Sequence, residues 1–189
     1  TVRPDSEMGY AACEKALAGG NPSSGSVGAG TGATVGKICG MERAMKSGLG
    51  MYAVQLGELR MAAVVAVNAL GDIFDSSTGR KIAGLRTEDG TAFSDSCEEL
   101  WKMGQRENLF TGNTTIGAVI TNGKFNKAQM NKIASMTRNA YARCINPVGT
   151  MADGDSIYAA SAGEVEADLN VAGTLAAYVM ERAIVAAIR

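Results

Sequence analysis

The segment Thr111 to Gly123, TGNTTIGAVITNG, puts two hydroxyls at the point where a polar, glycine-containing loop runs into a strand-like apolar run. Thr114 and Thr115 can be ordinary β-branched strand residues. One of them can also be a nucleophile. The chain contains no histidine, which removes Ser-His and Cys-His pairs and the common histidine-based metal sites. A base working near neutral pH must then be a lysine with a lowered pKa, a carboxylate, or an α-amino group. The last has a reference pKa of about 7.7–8.0. If the backbone is cut between Asn113 and Thr114, the Thr114 hydroxyl becomes a nucleophile whose base is its own α-amine.

Other residues have chemistry to offer. Lys37 ends the run GAGTGATVGKI, Gly28 to Ile38. Lodged among glycines and apolar residues, its ammonium could be partly desolvated and its pKa lowered; the alternative is a solvated surface lysine. The run itself resembles phosphate loops and matches none. Its spacing is G-x-G-x-G rather than the dinucleotide G-x-G-x-x-G, and Ile38 stands where a Walker loop has Ser or Thr. Asp153 and Asp155 flank Gly154 in MADGDSIY. Two carboxylates so close should repel and push one pKa upward, or they cap turn amides. Asn68 closes the apolar run MAAVVAVNALGD. Its amide could donate to an oxyanion or sit in an Asx turn.

The elements that must position these residues follow from periodicity. Residues 5–17 read as a helix with Met8, Ala11, Ala12 and Cys13 available for packing. Residues 18–36 are a Gly/Ser-rich loop, mobile or wrapped closely around something. Residues 51–57 and 60–68 form a hairpin about Gly57-Glu58. A further strand and turn lie in 70–84, a loop follows, and a short helix over 94–103 is capped by Ser94 or Asp95. Residues 104–113 are a linker, and 115–121 a strand. The clearest helix covers 126–145, with Asn126 and Gln129 spaced for a capping box. Its stripe is Met130, Ile133, Ala134, Thr137, Tyr141 and Cys144. A strand over 156–161 and a helix over 168–188 complete the order. Helices packed on sheets, α+β or layered α/β, are the natural class.

Composition narrows the function. The 189 residues suffice for one domain with a core. The hydrophobic share is 46%, the charged share 20% and the net charge −1, so nothing points to nucleic acid or an anionic membrane surface. No apolar run is expected to cross a bilayer, and the first ten residues lack a signal-peptide pattern. Cys13, Cys39, Cys97 and Cys144 lack zinc spacing and read as reduced thiols of a cytoplasmic protein, with a disulfide pair left open. No cofactor or metal is expected.

Taken together, GNTTIGAVITN, the capped helix after it and NPVGTMADGDSIYAAS resemble the P1, or S58, family of N-terminal-nucleophile hydrolases. RPDSEMGYAACEKA, GAGTGATVGK, MKSGLG and VAVNALGD match in the same order, so the resemblance covers nearly the whole chain. It implies a four-layer αββα sandwich, made by self-cleavage of a precursor between Asn113 and Thr114. Residues 1–113 would be the C-terminal part of the α chain, and 114–189 the β chain. Thr114 falls on the nucleophile, Lys37 on the lysine beside it, and Asn68 on the oxyanion-stabilising asparagine. Asp153 and Asp155 fall on the Asp-Gly-Asp of the nylon-oligomer hydrolase branch, where the aminopeptidase branch has Ser-Gly-Glu.

Family chains carry a long segment before the position of Thr1. Part of the sandwich and of the pocket is therefore expected to come from that segment of the same precursor. The resemblance also implies homo-oligomers, often tetramers, acting on small peptides or amides. An acyltransferase of the ornithine acetyltransferase type, a non-catalytic relative with the same fold, and a nucleotide-binding module are the competing readings.

Overall fold

The computed structural model describes residues 3–19, 23–104 and 112–188. The elements run in chain order α1 (Ser6–Leu17), β1 (Thr34–Val35), β2 (Met45–Lys46), β3 (Leu49–Leu56), β4 (Leu59–Ala66), β5 (Asp72–Asp75) and β6 (Arg80–Ala83). They continue with α2 (Ser96–Met103), β7 (Ile116–Gly123), α3 (Lys127–Cys144), β8 (Ile145–Asn146), β9 (Ser156–Val165) and α4 (Leu169–Ala186). Most of the linker expected over 104–113 lies outside the described residues.

The main sheet has the order β3-β4-β7-β9. β3 and β4 form the expected hairpin, in register from Leu49 opposite Ala66 to Leu56 opposite Leu59. β7 pairs antiparallel with β4, and β9 pairs parallel with β7. A parallel pair needs a crossover, and α3 supplies it. A three-stranded sheet, β6-β5-β8, and a two-stranded sheet, β1-β2, stand beside the main one. The strand and turn expected within 70–84 are in fact a second hairpin.

Strand alternation decides where the core sits. Leu59, Met61, Ala63 and Val65 of β4 are buried against α3 and α4, while Arg60, Ala62, Val64 and Ala66 point the other way. Gly50 lets α4 lie directly on β3, because a Cβ there would sit 1.9 Å from the Ala183 carbonyl oxygen. Ile133, Val179, Met180 and Ile184 are fully buried between the helices and the sheet, each contributing roughly 1.5–3 kcal/mol. The capping box on α3 forms as its spacing requires, with Asn126 and Gln129 exchanging side-chain bonds for backbone N–H groups. Of the expected stripe, Ala134 is only half-buried, and Ala140 takes a buried place instead.

Two expectations need correction. No residue of α1 is buried, so Met8, Ala11, Ala12 and Cys13 pack against nothing among the described residues. Leu169–Ala186 does have the length and mean hydropathy of a membrane span. Over half of that window is buried inside the protein, however, because α4 is the core helix under the sheet. All four cysteines are free thiols.

The second face of the main sheet is apolar and uncovered among the described residues. Cross-strand rows Ala62–Ile120–Ala160 and Val64–Ala118–Tyr158 lie on it, and Ile116, Ile120 and Tyr158 are exposed. The chain is thus α+β, and the described residues hold two layers of the expected αββα sandwich, one sheet and one helix pair.

A buried carboxylate ties the smaller sheet to its loops. Asp72 accepts from Lys81 Nζ at 2.6 Å, Leu85 N at 2.8 Å, Ser96 N at 3.0 Å and Ser96 Oγ at 2.7 Å. Removing it strands a nearly buried ammonium and several donors, a loss of about 3–5 kcal/mol. Urea unfolding of Asp72→Ala should show a midpoint lowered accordingly with an unchanged slope. A midpoint within error of the parent would show that the carboxylate is dispensable.

Candidate active site

The site forms where the parallel pairing of β7 and β9 continues past the ends of both strands. Asn113 bridges Asp153 in parallel register. Gly154 N donates to the Asn113 carbonyl at 3.0 Å, and Ser156 N to the Thr115 carbonyl at 3.1 Å. On the other side, Thr114 N donates to the Asn68 carbonyl at 3.0 Å. The Asn113–Thr114 peptide is therefore held at its carbonyl by one neighbour and at its nitrogen by the other. The Thr114 hydroxyl lies against the bond that would be cut, with Oγ1 donating to the Asn113 carbonyl oxygen at 2.5 Å.

Lys37 reaches this point from the glycine-rich segment. Gly36 N and Lys37 N donate to the carbonyls of Gly71 and Leu70, both at 2.9 Å, which pins the segment beside Asn68. Lys37 is 1% exposed, so the solvated-surface alternative does not hold. Its Nζ donates to Asn68 Oδ1 at 2.7 Å and to the Asn68 carbonyl at 3.2 Å. That carbonyl also takes the Thr114 N–H, so one shared acceptor sets the lysine nitrogen beside the Thr114 nitrogen. Burial lowers the Lys37 pKa to about 8, against an opposing pull from the Asp153 charge.

The two aspartates divide their work. Asp153 Oδ2 accepts from Thr150 N at 2.9 Å and Thr150 Oγ1 at 2.8 Å, capping the turn before Gly154. Asp155 Oδ1 accepts from Thr115 N at 2.7 Å. Burial raises the Asp155 pKa, the bond from Thr115 opposes the rise, and the Asp153 charge adds to it. The repulsion expected from their spacing is present, but desolvation outweighs it. Both ends of the Asn68 amide are bonded in the uncut chain. Oδ1 takes Lys37 Nζ and, at 3.2 Å, Thr34 N, while Nδ2 donates to the Gly112 carbonyl at 3.0 Å.

All the residues singled out in the sequence, Lys37, Asn68, Asn113, Thr114, Asp153 and Asp155, thus meet in one place. Sequence reasoning missed the backbone groups: Gly154 N–H, the Gly112 carbonyl and Thr34 N–H. Its one available signal was the glycine between two aspartates. The GAGTG run is no phosphate cradle here. Gly30 packs on the start of β3, where a Cβ would lie 2.2 Å from Leu49 N. Ala29 and Ala33 join Val64, Ile116, Asn68 and Thr114 around an apolar cleft of about 450 Å³ on the uncovered sheet face.

A model of peptidase family S58 matches residues 2–189. An uncharacterized aminopeptidase of Mycobacterium leprae is 33% identical over 173 residues, covering 87% of this chain and 46% of that protein. The 6-aminohexanoate-oligomer endohydrolase of a Kocuria species is 32% identical over 172 residues, with the same coverage. The chain thus spans about half the length of the curated relatives it matches. Among solved structures, the L-aminopeptidase D-Ala-esterase/amidase of Ochrobactrum anthropi, described as a variant of the Ntn hydrolase fold, aligns with a TM-score of 0.57 at 18% identity, over 89% of this chain and 45% of that one. A Burkholderia β-aminopeptidase aligns with a TM-score of 0.56 at 18% identity, over 94% and 50%. These two likenesses concern the fold.

The Lys37 shift has a stability consequence whose sign is set by linkage. Between pH 8 and 10.5 the unfolded chain holds the Lys37 proton and the folded chain has lost it. Stability should therefore rise with pH across that window, by roughly 3 kcal/mol for a shift of this size. Below pH 8 both states are protonated and the contribution is flat. Urea unfolding at pH 7.5 and 10 should show this rise in the parent and lose it in Lys37→Met. An equal rise in both proteins would place the lysine in solvent-like surroundings.

Proposed function

The chain belongs to peptidase family S58, and from that premise we propose that it is the catalytic part of a self-cleaving amide hydrolase with Thr114 as nucleophile. The observation that carries this reading is the clamped Asn113–Thr114 peptide, with the Thr114 hydroxyl against its carbonyl and a buried, weakly basic lysine beside its nitrogen.

In the precursor, neutral Lys37 takes the hydroxyl proton and Thr114 Oγ1 attacks the Asn113 carbonyl carbon. The carbonyl electron pair moves to oxygen. On collapse the C–N bond breaks, and the Thr114 nitrogen receives the proton from Lys37. The product is an ester of Asn113 on Thr114. Water hydrolyses it to an Asn113 carboxylate, a free hydroxyl and a free α-amine. In the mature enzyme that amine, with Lys37, serves the hydroxyl as base. Thr114 then attacks a substrate amide, Asn68 and backbone N–H groups hold the oxyanion, and water releases the acyl group. Asp153 and Asp155 orient the parts around Thr114. Departure of Gly112 and Asn113 frees Asn68 Nδ2 for substrate.

The substrate class is a small peptide or amide. The apolar cleft beside Thr114 supports an uncharged acyl portion. We further propose that the uncovered sheet face seats the segment preceding Thr1 in the precursor, completing the four-layer sandwich. The doubled length of the relatives supports this, as do the apolar cross-strand rows at the centre of the face.

Thr114→Ala should abolish both self-cleavage and hydrolysis of amide substrates, while Thr114→Ser retains both at reduced rate. Denatured intact mass and an amide-substrate assay read the two activities. Amidase activity retained in Thr114→Ala would sink the assignment. Product analysis with an added amine acceptor separates hydrolysis from acyl transfer.

A further inference from the structure

We propose that the backbone N–H of Gly154 is the oxyanion donor for scission of the Asn113–Thr114 bond. The inference rests on the self-cleaving reading above and adds a group that residue types alone do not reveal.

Geometry selects Gly154 over Asn68 for this step. The oxygen that becomes negative when Thr114 Oγ1 attacks is the Asn113 carbonyl oxygen. Gly154 N already donates to it at 3.0 Å in the uncut chain, so a fixed donor faces the oxygen on which charge would develop. The Asn68 amide is engaged elsewhere: its Nδ2 donates to the carbonyl one residue upstream, on Gly112, and its Oδ1 holds Lys37 and Thr34 N. As the Oγ1–C bond forms, the π pair moves onto an oxygen already facing the Gly154 N–H. No group has to turn.

The flanking residues brace that N–H. Asp153 caps the turn on one side through Thr150, and Asp155 grips Thr115 N on the other. Neither bond directs an aspartate oxygen at the Asn113 carbonyl. What the Asp-Gly-Asp sequence presents there is the amide between them. Side-chain size at this position is also limited. A Cβ on residue 154 would lie 2.7 Å from Thr114 Oγ1 and 3.7 Å from the Asn113 carbonyl oxygen. Such a contact is too short for carbon against oxygen, so either the hydroxyl or the 154 amide must shift. Only glycine lets donor and nucleophile occupy the same carbonyl together.

The test is a time course of denatured intact mass on the full-length precursor, comparing the parent with Gly154→Ala, with thermal unfolding as the folding control. Gly154→Ala keeps an N–H, but its Cβ displaces that amide or the Thr114 hydroxyl from the shared carbonyl, so cutting should slow by about the 10²–10³ that loss of one such donor costs. If Gly154→Ala fails to fold, the uncut Thr114→Ala precursor decides. A through-hydrogen-bond NMR coupling between Gly154 ¹⁵N and Asn113 ¹³C′ supports the assignment. A coupling from Asn68 Nδ2 to that carbon, or none from Gly154, overturns it. A parent that cuts alongside a Gly154→Ala that cuts equally fast overturns this inference alone. A parent that never cuts overturns the hydrolase reading with it.

Discussion

One peptide bond is gripped from both ends, and the site is organised around that grip. The Asn113 carbonyl belongs to the strand register that joins β7 to β9, while the Thr114 N–H belongs to the end of β4 through the Asn68 carbonyl. These anchors come from segments 40 or more residues away in the chain. Neither can move without disturbing the main sheet, whose helix-bearing face carries the core. The Thr114 hydroxyl is thereby held beside the Asn113 carbonyl in a fixed geometry, which on the proposed reading needs no further ordering.

Burying a lysine among apolar neighbours is expensive, and two positioned oxygen acceptors on Asn68 offset the cost. Lys37 bonds the side chain and the carbonyl of one asparagine, and the Asp153 charge pulls its pKa back up. This arrangement leaves its pKa near 8, where the proton can leave and return. Asp72 contrasts with it. There a carboxylate meets Lys81 directly at 2.6 Å, and the pair serves architecture by fastening the loops that back the Lys37 segment.

Much of this was legible in the residues. The capping box of Asn126 and Gln129, the β3–β4 hairpin and the candidate set from Lys37 to Asp155 are local patterns, and local patterns survive folding. What escaped was non-local or carried by backbone. β1, β2 and β8 span two residues each and exist only through partners distant in sequence. The Gly154 N–H has no side-chain signature. α1 misled because its apolar residues imply a partner that the described residues do not supply. The helix over 168–188 is legible from its apolar content, which also meets the length and hydropathy of a membrane span.

On the proposed reading, the Asn113–Thr114 bond is a cutting site whose product is a threonine α-amine. Intact mass under denaturing conditions, with N-terminal sequencing of the fragments, tests it on freshly made full-length protein. The account predicts two fragments that meet at Asn113 and Thr114, with Thr114 as the new N-terminus. A single uncut mass that persists on incubation, or a cut at any other bond, would contradict it.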